Sequence, residues 1–141
     1  MSGPSEQLRA LQQWVGKAEH DLRNAEYTLT LKEDCPFDTV CFHCQQCVEK
    51  YLKALLIAHA IDPPKIHDLG TLWKLIPSEA GLGLEASQIV PLNRYTVEAR
   101  YPGDWEEITR AAAEVAVAIA REAREAVRAC LPPEALRSDT H

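Results

Sequence analysis

The sequence predicts an all-α fold, an up-and-down bundle of three long and two short helices. Two observations favour this class. Long segments repeat their apolar residues every three or four positions, and no segment alternates apolar and polar residues over the length of a strand. Proline pairs and a Pro-Gly dipeptide separate the helical segments. We therefore expect one helical domain over residues 1–131 and a frayed C-terminal tail over residues 132–141.

The first two predicted helices are long and amphipathic. Residues 6–31 place their apolar side chains on one face, and Pro36 lies in the break that follows. Asp38 is expected to cap the second helix, which ends near Ala60. The apolar stripe of this second helix is so broad that we expect it at the centre of the bundle, covered from two sides.

Three further helices are predicted in the second half of the chain. Asp68 is expected to cap a short third helix over residues 69–76. Helical spacing resumes over residues 87–101 and forms the fourth helix. Asp104 and Glu107 are close to a capping-box pattern, so they are expected to start a long fifth helix that ends before the last proline pair.

Composition limits the classes of function. The chain has 141 residues, and Asp plus Glu outnumber Lys plus Arg by 21 to 15. A domain of this length buries roughly two-thirds of its unfolded surface, so it needs no metal or disulfide to fold. The net charge of −6 disfavours a general nucleic-acid coat protein but allows a local basic groove. Without a signal peptide or an apolar run of ~20 residues, we expect a cytoplasmic protein with no membrane partner.

The cysteines are the first candidates for chemistry. Cys41, Cys44 and Cys47 match the opening of a bacterial ferredoxin-type iron–sulfur motif. Tyr51 and Leu52 stand where that motif continues with Cys-Pro, and the segment has an uninterrupted helical pattern. We therefore favour core packing over a metal or redox role. The histidines show no zinc-site spacing and no Gly-rich phosphate loop is present, so no metal and no cofactor is expected.

The segment NRYTVEARYPG (residues 93–103) is the more informative candidate. It holds two Arg-Tyr pairs, Arg94-Tyr95 and Arg100-Tyr101. A guanidinium binds phosphate through two hydrogen bonds, and a tyrosine offers a ring on which a base can stack. The pattern therefore predicts a site for a nucleotide or an RNA phosphate. The structural alternative is an ion pair between Arg94 and Glu98, with the tyrosines covering the core.

Three other polar residues could support this site. His67 lies just outside the third helix, where it could contact a ligand or a neighbouring helix. Asp68 follows His67, and the capping of the third helix nearly suffices to explain an aspartate at this position. Asp21 interrupts the apolar face of the first helix beside Leu22. It could hold an arginine of the fourth helix or could simply be solvated.

Four segments together resemble the HEPN domain family. They are KAEHDLRNAEYTL (residues 17–29), CFHCQQCVEKYLKALL (41–56), HDL (67–69) and ARYPG (99–103). Their order and spacing match from the first to the fifth predicted helix. The resemblance implies a five-helix bundle that forms a homodimer and acts with a minimal nucleotidyltransferase in a toxin–antitoxin-like or defence system.

The resemblance also bears on catalysis. Ribonucleolytic HEPN proteins carry an arginine, then four to six intervening residues of any type, and then a histidine. The arginine that resembles theirs is Arg94, and the three permitted histidine positions hold Ala99, Arg100 and Tyr101. The imidazole expected to act as general acid or base is missing from its place. In related pairs the nucleotidyltransferase modifies a nearby tyrosine, which makes Tyr101 a candidate acceptor.

Three hypotheses of function follow. The first is a dimeric, non-catalytic HEPN protein that binds nucleotide or RNA phosphate through Arg94, Tyr95, Arg100 and Tyr101, with His67, beside a nucleotidyltransferase partner. The second is an atypical endoribonuclease in which His67 or Tyr101 replaces the missing imidazole. The third is a structural or interaction module that buries its fourth helix in a dimer.

Overall fold

The computed structural model describes residues 4–96 and 107–137, and all regular secondary structure within these ranges is helical. The helices are α1 (Pro4–Leu29), α2 (Phe37–Ala58), α3 (Leu69–Leu75), α4 (Ala86–Ile89) and α5 (Arg110–Arg128). Three 3₁₀ segments accompany them: Ser78–Ala80, Val90–Tyr95 and Pro133–Leu136. The predicted all-α bundle of three long and two short helices is confirmed.

Helix α2 is the centre of the bundle, as its broad apolar stripe predicts. It packs along most of α1 on one side and against α5 on the other. Cys41, Cys44 and Cys47 are fully buried with Tyr51 and Leu55 in the core. The three cysteines of the iron–sulfur-like spacing therefore serve as small apolar side chains at the helix interface.

The start of α2 differs from the prediction. The helix begins at Phe37, directly after Pro36, and no side chain caps it. Asp38 lies inside the first turn, where its carboxylate accepts a hydrogen bond from the amide of Thr39 at 2.9 Å. The predicted cap at Asp38 is wrong because Pro36, with a φ of −79°, already sets the chain for helix entry. The Asp38 charge still lies at the end of the helix that favours an anion.

The fourth helix is shorter than predicted. Only Ala86–Ile89 is α-helical, and Val90–Tyr95 continues as a 3₁₀ segment. Pro91 has no N–H to donate to an α-helical ladder, which explains the change of helix type. Thr96 is extended, with a ψ of 151°, so the helix predicted over residues 87–101 ends before it. The remainder of that prediction lies outside the described residues.

The fifth helix begins later than predicted. Thr109 caps it by accepting a hydrogen bond from the amide of Ala112 at 3.1 Å, and Arg110 is its first residue. Glu107 precedes the helix, so it is not part of a capping box, and Asp104 lies outside the described residues. The threonine hydroxyl satisfies an amide in the first turn that has no carbonyl partner within the helix.

The C-terminal segment packs onto the bundle. We expected residues 132–141 to fray, but Pro133–Leu136 instead form a 3₁₀ turn against α1. Ala135 is buried there, and the side-chain amide of Gln12 donates to the carbonyl of Glu134 at 3.0 Å. Among residues 4–96 and 107–137, no helix has both the length and the apolar character to cross a membrane.

Candidate functional site

The start of α3 and the end of the Val90–Tyr95 segment are held together by one pair of side chains. Asp68 caps α3, as predicted, by accepting from the amides of Gly70 at 2.8 Å and Thr71 at 3.2 Å. The amide group of Asn93 donates to the same Asp68 oxygen at 3.3 Å, and its oxygen accepts from the Leu69 amide at 2.9 Å. These bonds join the segment that contains His67 to the segment that contains Arg94.

Gly70 permits this close approach. A Cβ atom built on Gly70 would lie 3.3 Å from the Asp68 carboxylate and 3.4 Å from a methyl group of Val90. A side chain at position 70 would therefore press on both the cap and the 3₁₀ segment. The glycine lets the segment that carries Asn93 lie directly against the first turn of α3.

Arg94 and Tyr95 form the outer part of the site. The Arg94 side chain is exposed, and its guanidinium carbon lies 5.5 Å from the centre of the Tyr95 ring. Tyr95 is half-buried and packs against the hydrophobic core. A cation over an aromatic face is attracted by the ring's quadrupole, so Tyr95 gives the guanidinium a preferred position at the surface.

His67 is held from the core side by α2. Its Nδ1 lies 3.0 Å from the Glu49 carboxylate, and its backbone carbonyl accepts from the side-chain amide of Gln45 at 3.1 Å. Glu49 also accepts from Gln45 at 3.2 Å, Gln46 at 3.4 Å and Lys53 at 3.0 Å. An ionised carboxylate can only accept, so a hydrogen bond in this contact requires the ring proton on Nδ1. The His67 side chain is 44% exposed, whereas Glu49 is buried.

We call this arrangement the His67 site, and it consists of Glu49, His67, Asp68, Asn93, Arg94 and Tyr95. It includes three of the five predicted binding residues: His67 in one segment, and Arg94 with Tyr95 in the segment that Asn93 joins to it. Arg100 and Tyr101, with Glu98, lie outside the described residues, so their binding and modification roles remain predictions. Sequence reasoning missed Glu49, although a carboxylate and an amide four residues apart in an apolar helix are a sign of a buried polar contact.

Asp21 has neither of the predicted roles. It is buried, and its two oxygens accept from Nδ1 of His43 at 2.8 Å and from Nζ of Lys50 at 2.6 Å. Both partners belong to α2, seven residues apart and therefore on one face of the helix. Asp21 thus joins α1 to α2 instead of supporting an arginine of the fourth helix.

A second polar region links the three long helices. The Tyr51 hydroxyl donates to Glu19 at 2.5 Å, and Arg124 donates to both Glu19 oxygens at 2.8 and 2.9 Å. Arg128 donates to the Tyr51 oxygen at 3.3 Å. We call Glu19, Tyr51, Arg124 and Arg128 the Glu19 network.

The Glu19 network shifts the pKa values of its members. Partial burial raises the pKa of Glu19, but hydrogen bonds from Arg124 and Tyr51 outweigh it, and the net pKa is lower than usual. Burial, followed by the hydrogen bond to Glu19, raises the pKa of Tyr51. The phenol therefore stays protonated and donates, while the carboxylate stays ionised and accepts.

Burial keeps two of the core cysteines as neutral thiols. It raises the pKa of Cys44 to about 12 and that of Cys47 well above its usual value. Because the thiolate is the nucleophilic form, neither of these two thiols is activated at neutral pH. Over the described ranges, no three His, Cys, Asp or Glu side chains converge as they would around a metal ion.

The fold and the site define a class of protein: a small all-α bundle with a polar site at the start of the short helix α3, which packs against the central helix α2. The HEPN domain family model matches residues 11–130, and the chain therefore belongs to the HEPN domain family. The comparison with curated proteins gave no match.

Two solved structures share this fold. The crystal structure of TT1696 from Thermus thermophilus has a TM-score of 0.71 and 25% sequence identity, over 86% of this chain and 98% of that one. The crystal structure of ST0689, described as an archaeal HEPN homologue, has a TM-score of 0.67 and 25% identity, over 84% of this chain and 95% of that one.

Proposed function

We propose that this HEPN protein binds the phosphate of a nucleotide or an RNA at the His67 site. The observation that carries the proposal is the position of Arg94. Arg94 is exposed and its guanidinium carbon lies 5.5 Å from the centre of the Tyr95 ring, while the Asp68–Asn93 bond joins its segment to the one that carries the half-exposed imidazole of His67. A guanidinium and an imidazole are both typical ligands for phosphate oxygens.

The overall charge favours a small, local ligand over a long phosphate backbone. The chain carries a net charge of −6, so it attracts nucleic acid weakly at long range. A compact site with one arginine, one histidine and an aromatic ring instead suits a single phosphate with an attached base. Arg100 and Tyr101 belong to the proposed site as a second Arg-Tyr pair.

The binding test is isothermal titration with ATP and with a short single-stranded RNA. We expect Arg94→Ala to weaken binding about tenfold or more, because hydrogen bonds to charged groups contribute about 1.5–3 kcal/mol. Arg9→Ala is the matched control, since Arg9 is also an exposed arginine and lies on α1. Absence of binding by the wild type, or equal weakening in both variants, would argue against the site.

The proposal includes a homodimer and a nucleotidyltransferase partner, both implied by the family resemblance. A two-fold axis near Arg94 would place two copies of the site in one cleft and raise its local positive charge. Sedimentation of the wild type and Arg94→Ala measures the affinity of the dimer and separates phosphate binding by Arg94 from a role in the dimer interface. If Arg94 binds phosphate, the dimer affinity stays the same, whereas a pure interaction module would lose dimer affinity and show no ligand effect.

The toxin–antitoxin-like role rests on modification of the HEPN protein by its partner. Tyr101 is the proposed acceptor. Incubation with a minimal nucleotidyltransferase and ATP should add a nucleotide mass to the wild type and leave Tyr101→Phe unchanged. Equal modification of both proteins would exclude Tyr101.

An atypical endoribonuclease is the second candidate, favoured by the Glu49–His67 pair. A carboxylate that orients an imidazole is the arrangement in which histidine acts as general acid or base. An RNA cleavage assay tests this function. Cleavage that His67→Ala abolishes would support it, and intact RNA after long incubation at high protein concentration would exclude it.

A further inference from the structure

Glu49 is the most deeply buried charged group of the His67 site. It is 3% exposed and lies on α2, behind the half-exposed imidazole of His67. One of its oxygens faces Nδ1 of His67, and the other accepts from Nζ of Lys53. The carboxylate is therefore fixed in the core by its own helix, and only the His67 side of the contact reaches the surface.

Helix α2 contacts both the backbone and the ring of His67. Gln45 donates to the backbone carbonyl of His67 at 3.1 Å, so the main chain of this loop residue is tied to α2. Glu49 lies one helical turn after Gln45 and holds the side chain of the same residue at 3.0 Å. Two fixed contacts, one to the backbone and one to the ring, leave the imidazole little freedom to rotate.

We propose that Glu49 is a positioning residue: it keeps Nδ1 of His67 protonated and turns Nε2 toward a bound phosphate or ribose oxygen. This role rests on the proposed function, because it names how the same site presents its imidazole. The neutral imidazole of free histidine prefers its proton on Nε2. A buried carboxylate that accepts from Nδ1 reverses that preference, since an ionised carboxylate can only accept.

The direct test is ¹⁵N nuclear magnetic resonance of the His67 ring, in the pH range where the ring is neutral and its shifts no longer change. Removing Glu49 alone would leave Lys53 as an unpaired buried charge, so the test variant is Glu49→Leu with Lys53→Met. The reference is Lys53→Met, which keeps the carboxylate. We expect the proton on Nδ1 in the wild type and the reference, and on Nε2 in the double variant.

Titration with ATP supplies the second readout. We expect the double variant to bind ATP about tenfold more weakly than the Lys53→Met reference, a loss of the size seen when the partner that orients a histidine ligand is removed. The proposal is overturned if the wild-type proton lies on Nε2, if the double variant keeps it on Nδ1, or if ATP affinity is equal in the two variants.

The two proposals fail in different ways. If the wild type does not bind ATP or RNA, the proposed function is wrong, and the ring shifts still show whether Glu49 sets the tautomer. If the wild type binds ATP but its His67 proton lies on Nε2, the binding site stands and the positioning role of Glu49 is wrong.

Discussion

The Glu19 network and the His67 site use the same kinds of residue to different ends. In the first, Arg124 lies on the Glu19 carboxylate, and Tyr51 completes the contact between three long helices. In the second, Arg94 lies over an aromatic ring at the surface, and the nearby carboxylate of Glu49 is directed at a histidine. The groups around an arginine, and not an Arg-Tyr pair as such, distinguish the packing role of Arg124 from the proposed binding role of Arg94.

The two regions also differ in the elements that carry them. The Glu19 network joins α1, α2 and α5, which are held by the largest packing contacts of the bundle. Apart from Glu49 on α2, the His67 site lies at the start of the short helix α3 and on a 3₁₀ segment, and single side chains such as Asp68 and Asn93 hold these two elements together. Substitutions in the first region should therefore change stability, and substitutions in the second should change binding.

The largest effect on stability is expected from Glu19→Gln. This change removes the carboxylate charge to which Arg124 and Tyr51 donate. Arg128 then retains only its hydrogen bond to the Tyr51 hydroxyl. Loss of one partner from a partly buried ionic network should lower the free energy of unfolding by about 2–3 kcal/mol. Urea denaturation followed by circular dichroism measures the change, and ATP affinity should stay at the wild-type value.

Glu125→Gln is the matched control for this prediction. Glu125 also pairs with Arg124, at 2.7 Å, but its side chain is 75% exposed. An exposed ion pair contributes little, so this variant should lose about 0.5 kcal/mol or less. Equal losses from Glu19→Gln and Glu125→Gln would show that the network does not lock the helices.

The stability contributed by Glu19 should depend on pH in acid. The folded-state pKa of Glu19 lies below its ordinary value of 4.5, because hydrogen bonds from Arg124 and Tyr51 outweigh burial. The contribution is therefore complete above pH 4.5 and is lost as the pH falls through the lower, folded-state value. The difference in unfolding free energy between the wild type and Glu19→Gln should be constant near neutral pH and shrink below pH 4.5. A difference that grows in acid would contradict the direction of the shift.

Local signals in the sequence predicted most of the fold. The three-and-four spacing of apolar residues located the long helices, and Asp68 was recognisable as a cap because its acceptor amides follow it directly. The same local reasoning failed at Pro91, where helical spacing continues although the backbone changes to a 3₁₀ segment. Periodicity records which face is apolar and is insensitive to the type of helical turn.

The candidate site was only partly predictable because its decisive contacts join distant residues. The chemistry of His67 and Arg94 makes them candidates, but Glu49 lies 18 residues before His67, on α2, whereas His67 lies in the loop before α3. Asp21 shows the same limit, since its partners His43 and Lys50 belong to α2. Pairing between elements depends on how the helices pack, and no spacing rule within one helix contains that information.

A smaller loss of stability than that of Glu19→Gln is expected from Asp68→Ala, which also tests whether the two halves of the His67 site depend on one carboxylate. Loss of an N-cap should lower the free energy of unfolding by about 1 kcal/mol, measured in urea. Asp62→Ala, in the exposed loop before α3, is the control and should change stability by about 0.5 kcal/mol or less. Because Asp68 also holds Asn93, ATP affinity should fall together with stability, unlike in Glu19→Gln. A loss of stability with unchanged ATP affinity would show that Arg94 keeps its position without the Asp68–Asn93 bond. Asp68 would then belong with the residues that affect stability and not with those that affect binding.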